Sequence, residues 1–336
     1  MRRDLFRKRW LFLVCVLFCQ GPAMAQIVHY VDNIKNCAGL TPCHSTITDA
    51  VNAAAPSDSI EVFPGVYREA VAVTSKDHIV ITARDLSLKA VIAPPAGANN
   101  AITVTGSPSL QIIGFVLEAP EAAGIRVCCG SNGVAIRSNL VKALQGITFR
   151  FGGHADNVIS NNTFVGGGVS FPDGASSNLV EANKFDRGAI GMSEFNIGVD
   201  GNVIRRNFLG SGSISLLGAR SAANNIVESN VAAGITIAVH AGSGATLNTI
   251  RHNLVRGGGI LLQEFASNNM IERNFVSGSP ADGIRVEVTA GDQPNVVRRN
   301  TSAGNAGCDI NDASSSPVVN VWEQNRFITA CGSATD

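Results

Sequence analysis

Tyrosine and tryptophan are almost missing, with two of each among 336 residues. Outside the N-terminal segment only Tyr30, Tyr67 and Trp322 supply large amphipathic rings, too few to line a cleft that stacks neutral sugars. Neither sign of charge is in surplus: 26 Lys and Arg balance 26 Asp and Glu. Five of the basic residues lie in the first 25 positions against Asp4 alone, so the remainder is acidic by four charges. A nucleic-acid partner, which requires a basic excess, is excluded on that count. No low-complexity linker interrupts the chain, which argues for one elongated domain. The main apolar run at the N-terminus, Trp10 to Phe18, is too short for a comfortable membrane span.

That run follows Arg2, Arg3, Arg7, Lys8 and Arg9 and precedes Ala23-Met24-Ala25, the pattern of a cleaved signal peptide over residues 1–25. Cys19 lacks the small residue before it that a lipid anchor uses. The expected location is extracytoplasmic, secreted or periplasmic, with no membrane span after cleavage. Six of the eight cysteines then remain, in a compartment that permits disulfides. Cys37 and Cys43 can close a small loop; Cys308 and Cys331 fall at similar places in successive repeats, a separation a disulfide can bridge. For the adjacent Cys128 and Cys129, a vicinal bridge, free thiols and a metal pair all stay open.

The strongest signal is a repeat. Asn, two mostly apolar residues, two mostly polar residues and Asn begin at Asn157, Asn178, Asn202, Asn225, Asn248, Asn269, Asn295 and Asn320, at steps of 21 to 26 residues. A two-helix repeat needs more than about 30 residues, whereas a coil of short strands fits in about 20 to 29. The second residue after each opening Asn is Ile159, Val180, Ile204, Val227, Ile250, Ile271, Val297 or Trp322, β-branched or aromatic side chains that suit a pleated surface. A second strand follows each glycine punctuation, as in GVSF from Gly168 and GIRV from Gly283, alternating with period two.

Stacking such coils about 4.8 Å apart aligns Asn162, Asn183, Asn207, Asn230, Asn253, Asn274, Asn300 and Asn325 in one file. Asn suits the left-handed backbone of a tight turn, and its amide can bond to those above and below. A neighbouring file reads Ser160, Glu181, Arg205, Glu228, Arg251, Glu272, Arg298 and Glu323, and alternating charge favours correct stacking. Beside it run Arg206, His252, Arg273 and Arg299, a solvated face or an anion-binding stripe.

These repeats resemble the PbH1-type repeats of right-handed parallel β-helix proteins of the pectin-lyase-like superfamily, over roughly residues 58 to 331. The expected fold is all-β: a single-stranded right-handed parallel β-helix of about 12 coils, residues 58–336. Residues 26–57 form an N-terminal cap whose short helix, in residues 46–55, has Ser45 or Thr46 as N-cap and Asp49 in its first turn.

The resemblance implies a groove along the outer face of the Gly-Ile-x-apolar strands. Alternation puts Arg126, Arg150, Gln263, Arg285, Glu287 and Asp309 on that face, with His240 one rung from Gln263. For a lyase, Arg285 neutralises a uronate carboxylate, His240 is the base, and Glu287 with Asp309 holds Ca²⁺. For a hydrolase, Glu287 and Asp309 are the acid and base. Gln263, Arg150 and Arg126 would bind substrate. Against catalysis, there is no tandem Asp-Asp on the groove strand and no Arg-x-Pro-x-x-Arg run, and the turns VGGG at Val165 and VRGGG at Val255 build no walls. The leading expectation is recognition or lyase-like cleavage of an acidic polysaccharide or oligosaccharide; the alternative is a non-catalytic surface or secreted binding protein.

Overall fold

The computed structural model describes residues 26–87, 89–194, 198–239, 244–288, 293–315 and 320–334. The expected signal peptide and the candidate base His240 lie outside them. Most coils give one strand to each of three parallel faces, as with Val203–Arg205, Phe208–Leu209 and Ser213–Gly218. On the first face, twelve strands from Ser59–Val62 to Val321–Glu323 pair in succession, which makes about eleven full turns and a stack of roughly 53 Å. The β-branched file is buried throughout, Ile159, Val180, Ile204, Val227 and Ile250 being at most 1% exposed. Phe149 stacks on Phe171 and Phe164 on Phe185, with centroids 4.1 and 4.5 Å apart, so the core itself is layered by rung.

Two files of asparagine, not one, run down the interior corners. In the first, Asn157 donates its Nδ2 to Oδ1 of Asn178 at 2.8 Å, and the pattern repeats through Asn202, Asn225, Asn248, Asn269 and Asn295 to Asn320. The second runs from Asn139 through Asn162 to Asn325, one residue longer at its upper end than the repeat indicates. Each of these oxygens also accepts the backbone N–H of the Asn above; Asn230 Oδ1 takes both N and Nδ2 of Asn207 at 3.0 Å. The asparagines themselves are not the left-handed residues. That conformation belongs to the position before each one: Ala182, Arg206, Ser229, His252, Arg273 and Arg299 have φ between 53 and 56°. The Asn side chain must point inward to meet its neighbours, and the preceding residue makes the corner.

The first file ends on Asp312, which is 3% exposed. Its carboxylate accepts Asn320 Nδ2 at 3.1 and 3.2 Å and Trp322 Nε1 at 3.0 Å. Burial pushes the Asp312 carboxyl up, but the donors of Ser314, Trp322 and Asn320 outweigh it and hold it below its usual value of 3.8.

At the upper end, strand Val28–Val31 adds a rung above Ser59–Val62, and the helix Ile47–Ala53 turns Ile47, Ala50 and Val51 onto the open core. Thr46 is its N-cap, accepting Asp49 N at 3.0 Å. Glu69 takes the N–H groups of Ile47 and Thr48, and Lys76 Nζ reaches the carbonyls of Asn52 and Ala54, so both helix ends meet the charge they favour. The disulfides Cys37–Cys43 and Cys308–Cys331, each with Cα atoms 5.9 Å apart, tie the two ends. Cys128, buried, and Cys129, exposed, are free thiols.

Asn230→Ala orphans the two Asn207 donors and removes the Nδ2 that meets Ile204 O, and each unsatisfied buried group costs about 1 to 3 kcal/mol. Urea unfolding of this variant should show a loss of at least about 3 kcal/mol. Because the folded pKa of Asp312 is depressed, its stabilisation is present above about pH 3.8 and is lost as pH falls through the lower folded value. Denaturant midpoints measured on either side of that window should fall less steeply with acid in Asp312→Asn than in the native chain.

Candidate functional site

The register of the third face decides which side chains meet on its outer surface. One file reads Thr103, Arg126, Thr148, Ser170, Gly191 and Ser215, and continues through Thr236, Leu261, Arg285 and Asn311. A file two residues further along holds Thr105, Cys128 and Arg150 above, and Leu217, Ala238, Gln263 and Glu287 below. Arg126 and Arg150 therefore stand on successive rungs, with Cα atoms about 8 Å apart from strand spacing and rise.

These arginines share one concavity of the face. A groove of about 550 Å³ is lined by Asn100, Glu121, Arg126, Gln145, Thr148 and Arg150 among others. It continues into a second of about 380 Å³ over Gly146, Gly167, Gly168 and Gly191. The glycines set the floor: a Cβ on Gly168 would collide with the carbonyl oxygen of Ala189 on the next rung.

The wall comes from a bulge. Strand Val116–Cys128 pairs with Leu140–Arg150 through Ala119↔Ala143 and then Ala123↔Gln145, so two extra residues are pushed out and Glu121 becomes exposed. Sequence reading missed Glu121, Asn100 and Gln145; the proline at 120 within a strand was the available sign. The Arg126 guanidinium lies 5.1 Å from the centre of the Phe151 ring. Among the described residues, neither Arg126 nor Arg150 pairs with a carboxylate, and Glu121 has no cationic partner.

The lower cluster is arranged differently from its expectation. Gln263 does face Glu287 on the next rung. Arg285, however, is engaged by two carboxylates, Asp282 Oδ2 at 3.2 Å and Glu287 Oε2 at 3.3 Å. Asp282, missed in the sequence, also accepts Asn311 Nδ2 at 2.8 Å and Cys308 N at 2.8 Å. Burial raises its carboxyl, but these donors and Arg285 prevail and hold it below the ordinary value.

Asp309 is not on the groove face. It precedes the strand Ile310–Asp312, is 2% exposed, and accepts Asn305 Nδ2 at 2.9 Å with the N–H groups of Ile328 and Thr329. Alternation fails there because the residue belongs to the turn. Both of its oxygens are occupied, and no three His, Cys, Asp or Glu side chains gather as ligands among the described residues. Calcium does not fit the Glu287 and Asp309 pair.

A family model described as "Right handed beta helix region" matches residues 100–250. The chain has the right-handed parallel β-helix fold. Among solved β-helices, it superposes on an alginate lyase from a Paenibacillus species with a TM-score of 0.50 and 14% identity, covering 91% of this chain and 99% of that one. A mannuronan C-5 epimerase AlgE6 A-module from Azotobacter vinelandii gives 0.52 and 14%, over 86% and 92%. A GH136 lacto-N-biosidase from Eubacterium ramulus gives 0.52 and 10%, over 90% and 68%. No curated protein matches the sequence. At these identities the likeness speaks for the β-helix fold alone.

Proposed function

We propose that this β-helix recognises an acidic polysaccharide, outside the cytoplasm, in the groove that holds Arg126 and Arg150. The observation that carries the reading is the pair of arginines without carboxylate partners among the described residues, in a groove of about 550 Å³ on the outer face. A guanidinium pairs with a uronate carboxylate through charge-assisted, often bidentate hydrogen bonds. Two of them on successive rungs meet two acidic sugars of one chain, and the amides of Asn100 and Gln145 offer hydroxyl contacts beside them. Leu144, 64% exposed, supplies an apolar edge for a ring face. Solved structures that share the fold include an alginate lyase and a mannuronan C-5 epimerase module. The two disulfides accord with an oxidising compartment.

Lyase-like cleavage requires in addition a proton acceptor facing the same sugar. Glu121, thrust into the groove by the bulge, is the carboxylate available for that step. The sequence expectation placed the chemistry at Arg285, whose guanidinium is already neutralised by Asp282 and Glu287.

Calorimetric titration with alginate and polygalacturonate oligomers should show binding that Arg126→Ala with Arg150→Ala weakens by about tenfold or more, the scale of one lost charged hydrogen bond. Unaltered affinity in that double variant would sink the assignment. Absorbance of unsaturated product in the same samples separates turnover from binding, and Glu121→Gln should abolish any such signal while leaving affinity intact.

A further inference from the structure

We infer a second polyanion-binding surface, distinct from the groove and independent of its assignment: the corner file of Arg206, His252, Arg273 and Arg299. All four are left-handed, with φ of 55, 55, 53 and 55°, and Ser229 at 56° completes the run. They are stacked in register. Arg206 N donates to Glu228 O, Ser229 N to Arg251 O, His252 N to Glu272 O and Arg273 N to Arg298 O, each at 3.1 to 3.3 Å. Five rungs thus place four basic side chains along a straight line of about 19 Å.

The choice of residue at these positions is costly. A left-handed backbone costs most L-residues roughly 1 to 2 kcal/mol and is visited readily only by Gly, Asn and Asp. The other left-handed corner of the same coils follows that rule at Gly201, Asn224 and Asn268, with Leu247 at 58° as the exception. The basic corner departs from it on all five rungs, four times with a basic residue, so its side chains are not explained by backbone preference.

The neighbouring charge does not cancel the file. Glu228 is taken up by Arg251 and Glu272 by Arg298, at 2.6 and 2.9 Å, and these glutamates are only 20% and 10% exposed in their side chains. Over the five rungs that inner file holds three arginines against two glutamates. Arg206 keeps one contact with Glu181 and is 67% exposed, and Arg299 Nε meets the neutral Gln324. Arg273 and His252 carry no carboxylate partner among the described residues.

Two residues further along the chain, Phe208, Val231, Leu254 and Phe275 align as an outward apolar file, Phe208 being 49% and Phe275 43% exposed. A straight row of basic side chains beside a straight apolar row fits a linear acidic polysaccharide lying parallel to the axis. Its carboxylates or sulfates would meet the cations and the faces of its sugar rings the apolar file. An anionic membrane would present its charges as a plane and uses no such linear order.

The test is binding of polygalacturonate and of heparin across a sodium chloride series, with neutral dextran and phosphatidylglycerol vesicles as separate arms. Affinity for both polyanions should fall linearly on a log–log plot against salt, as counterion release requires. Arg206→Asn, His252→Asn, Arg273→Asn and Arg299→Asn together should reduce it by about tenfold or more and flatten the slope. Asn accepts the left-handed backbone, so thermal unfolding should not drop, which separates lost binding from lost fold. Arg126→Ala with Arg150→Ala should keep the salt-dependent component. Undiminished polyanion binding by the quadruple variant, equal binding of dextran, or binding confined to the vesicles would each overturn the inference.

Discussion

The interaction on which this molecule depends is the amide-to-amide contact between asparagines on successive coils. A coil that turns a corner leaves backbone groups pointing inward, where an unmet donor or acceptor is expensive. Each Asn settles several at once: its oxygen takes two N–H groups from the coil above, and its Nδ2 reaches both the next Asn and a strand carbonyl, as Asn207 does with Asn230 and Val180 O. A one-residue slip between coils would break every member of the file together. The asparagine files and the apolar alternation therefore specify the same register, since a one-residue slip would also turn the buried Ile and Val to the outer face.

Register, once fixed, arranges the outer surface. The same alignment that buries Ile204 over Val227 places Glu181 against Arg205. It also sets Arg126 above Thr148 and Cys128 above Arg150. Where outward residues of opposite sign fall close together they neutralise one another, as at Asp282, Arg285 and Glu287. Where a bulge and a glycine floor separate them, cations are left available, as in the upper groove. The chemistry of each region thus follows from the spacing of its coils and not from any one motif.

Much of the architecture was legible because the asparagine spacing and the β-branched interior file report the same period. Both disulfides were also readable, each from its own feature. What escaped was geometry at turns. Sequence alternation cannot tell that Asp309 lies just outside its strand, so it projected outward a carboxylate that in fact serves Asn305, Ile328 and Thr329. It likewise assigned the left-handed conformation to Asn, the residue with the matching preference, when the inward demand of the amide moves it one position earlier, onto Arg206 and its equivalents. Glu121 escaped because a bulge alters register without altering composition, and Pro120 was its one trace in the sequence.

Every amide in the asparagine files points the same way, with oxygen toward the N-terminal coil and nitrogen toward the C-terminal one. Aligned bond dipoles add, as they do along a helix, so the rod has an electrical sense with its positive pole at the bottom. Asp312 sits on that pole, a buried anion closing a column of parallel donors. Lengthening the protein by inserting coils would extend this polarity, and the new last coil would need a carboxylate in the place of Asp312 to close it.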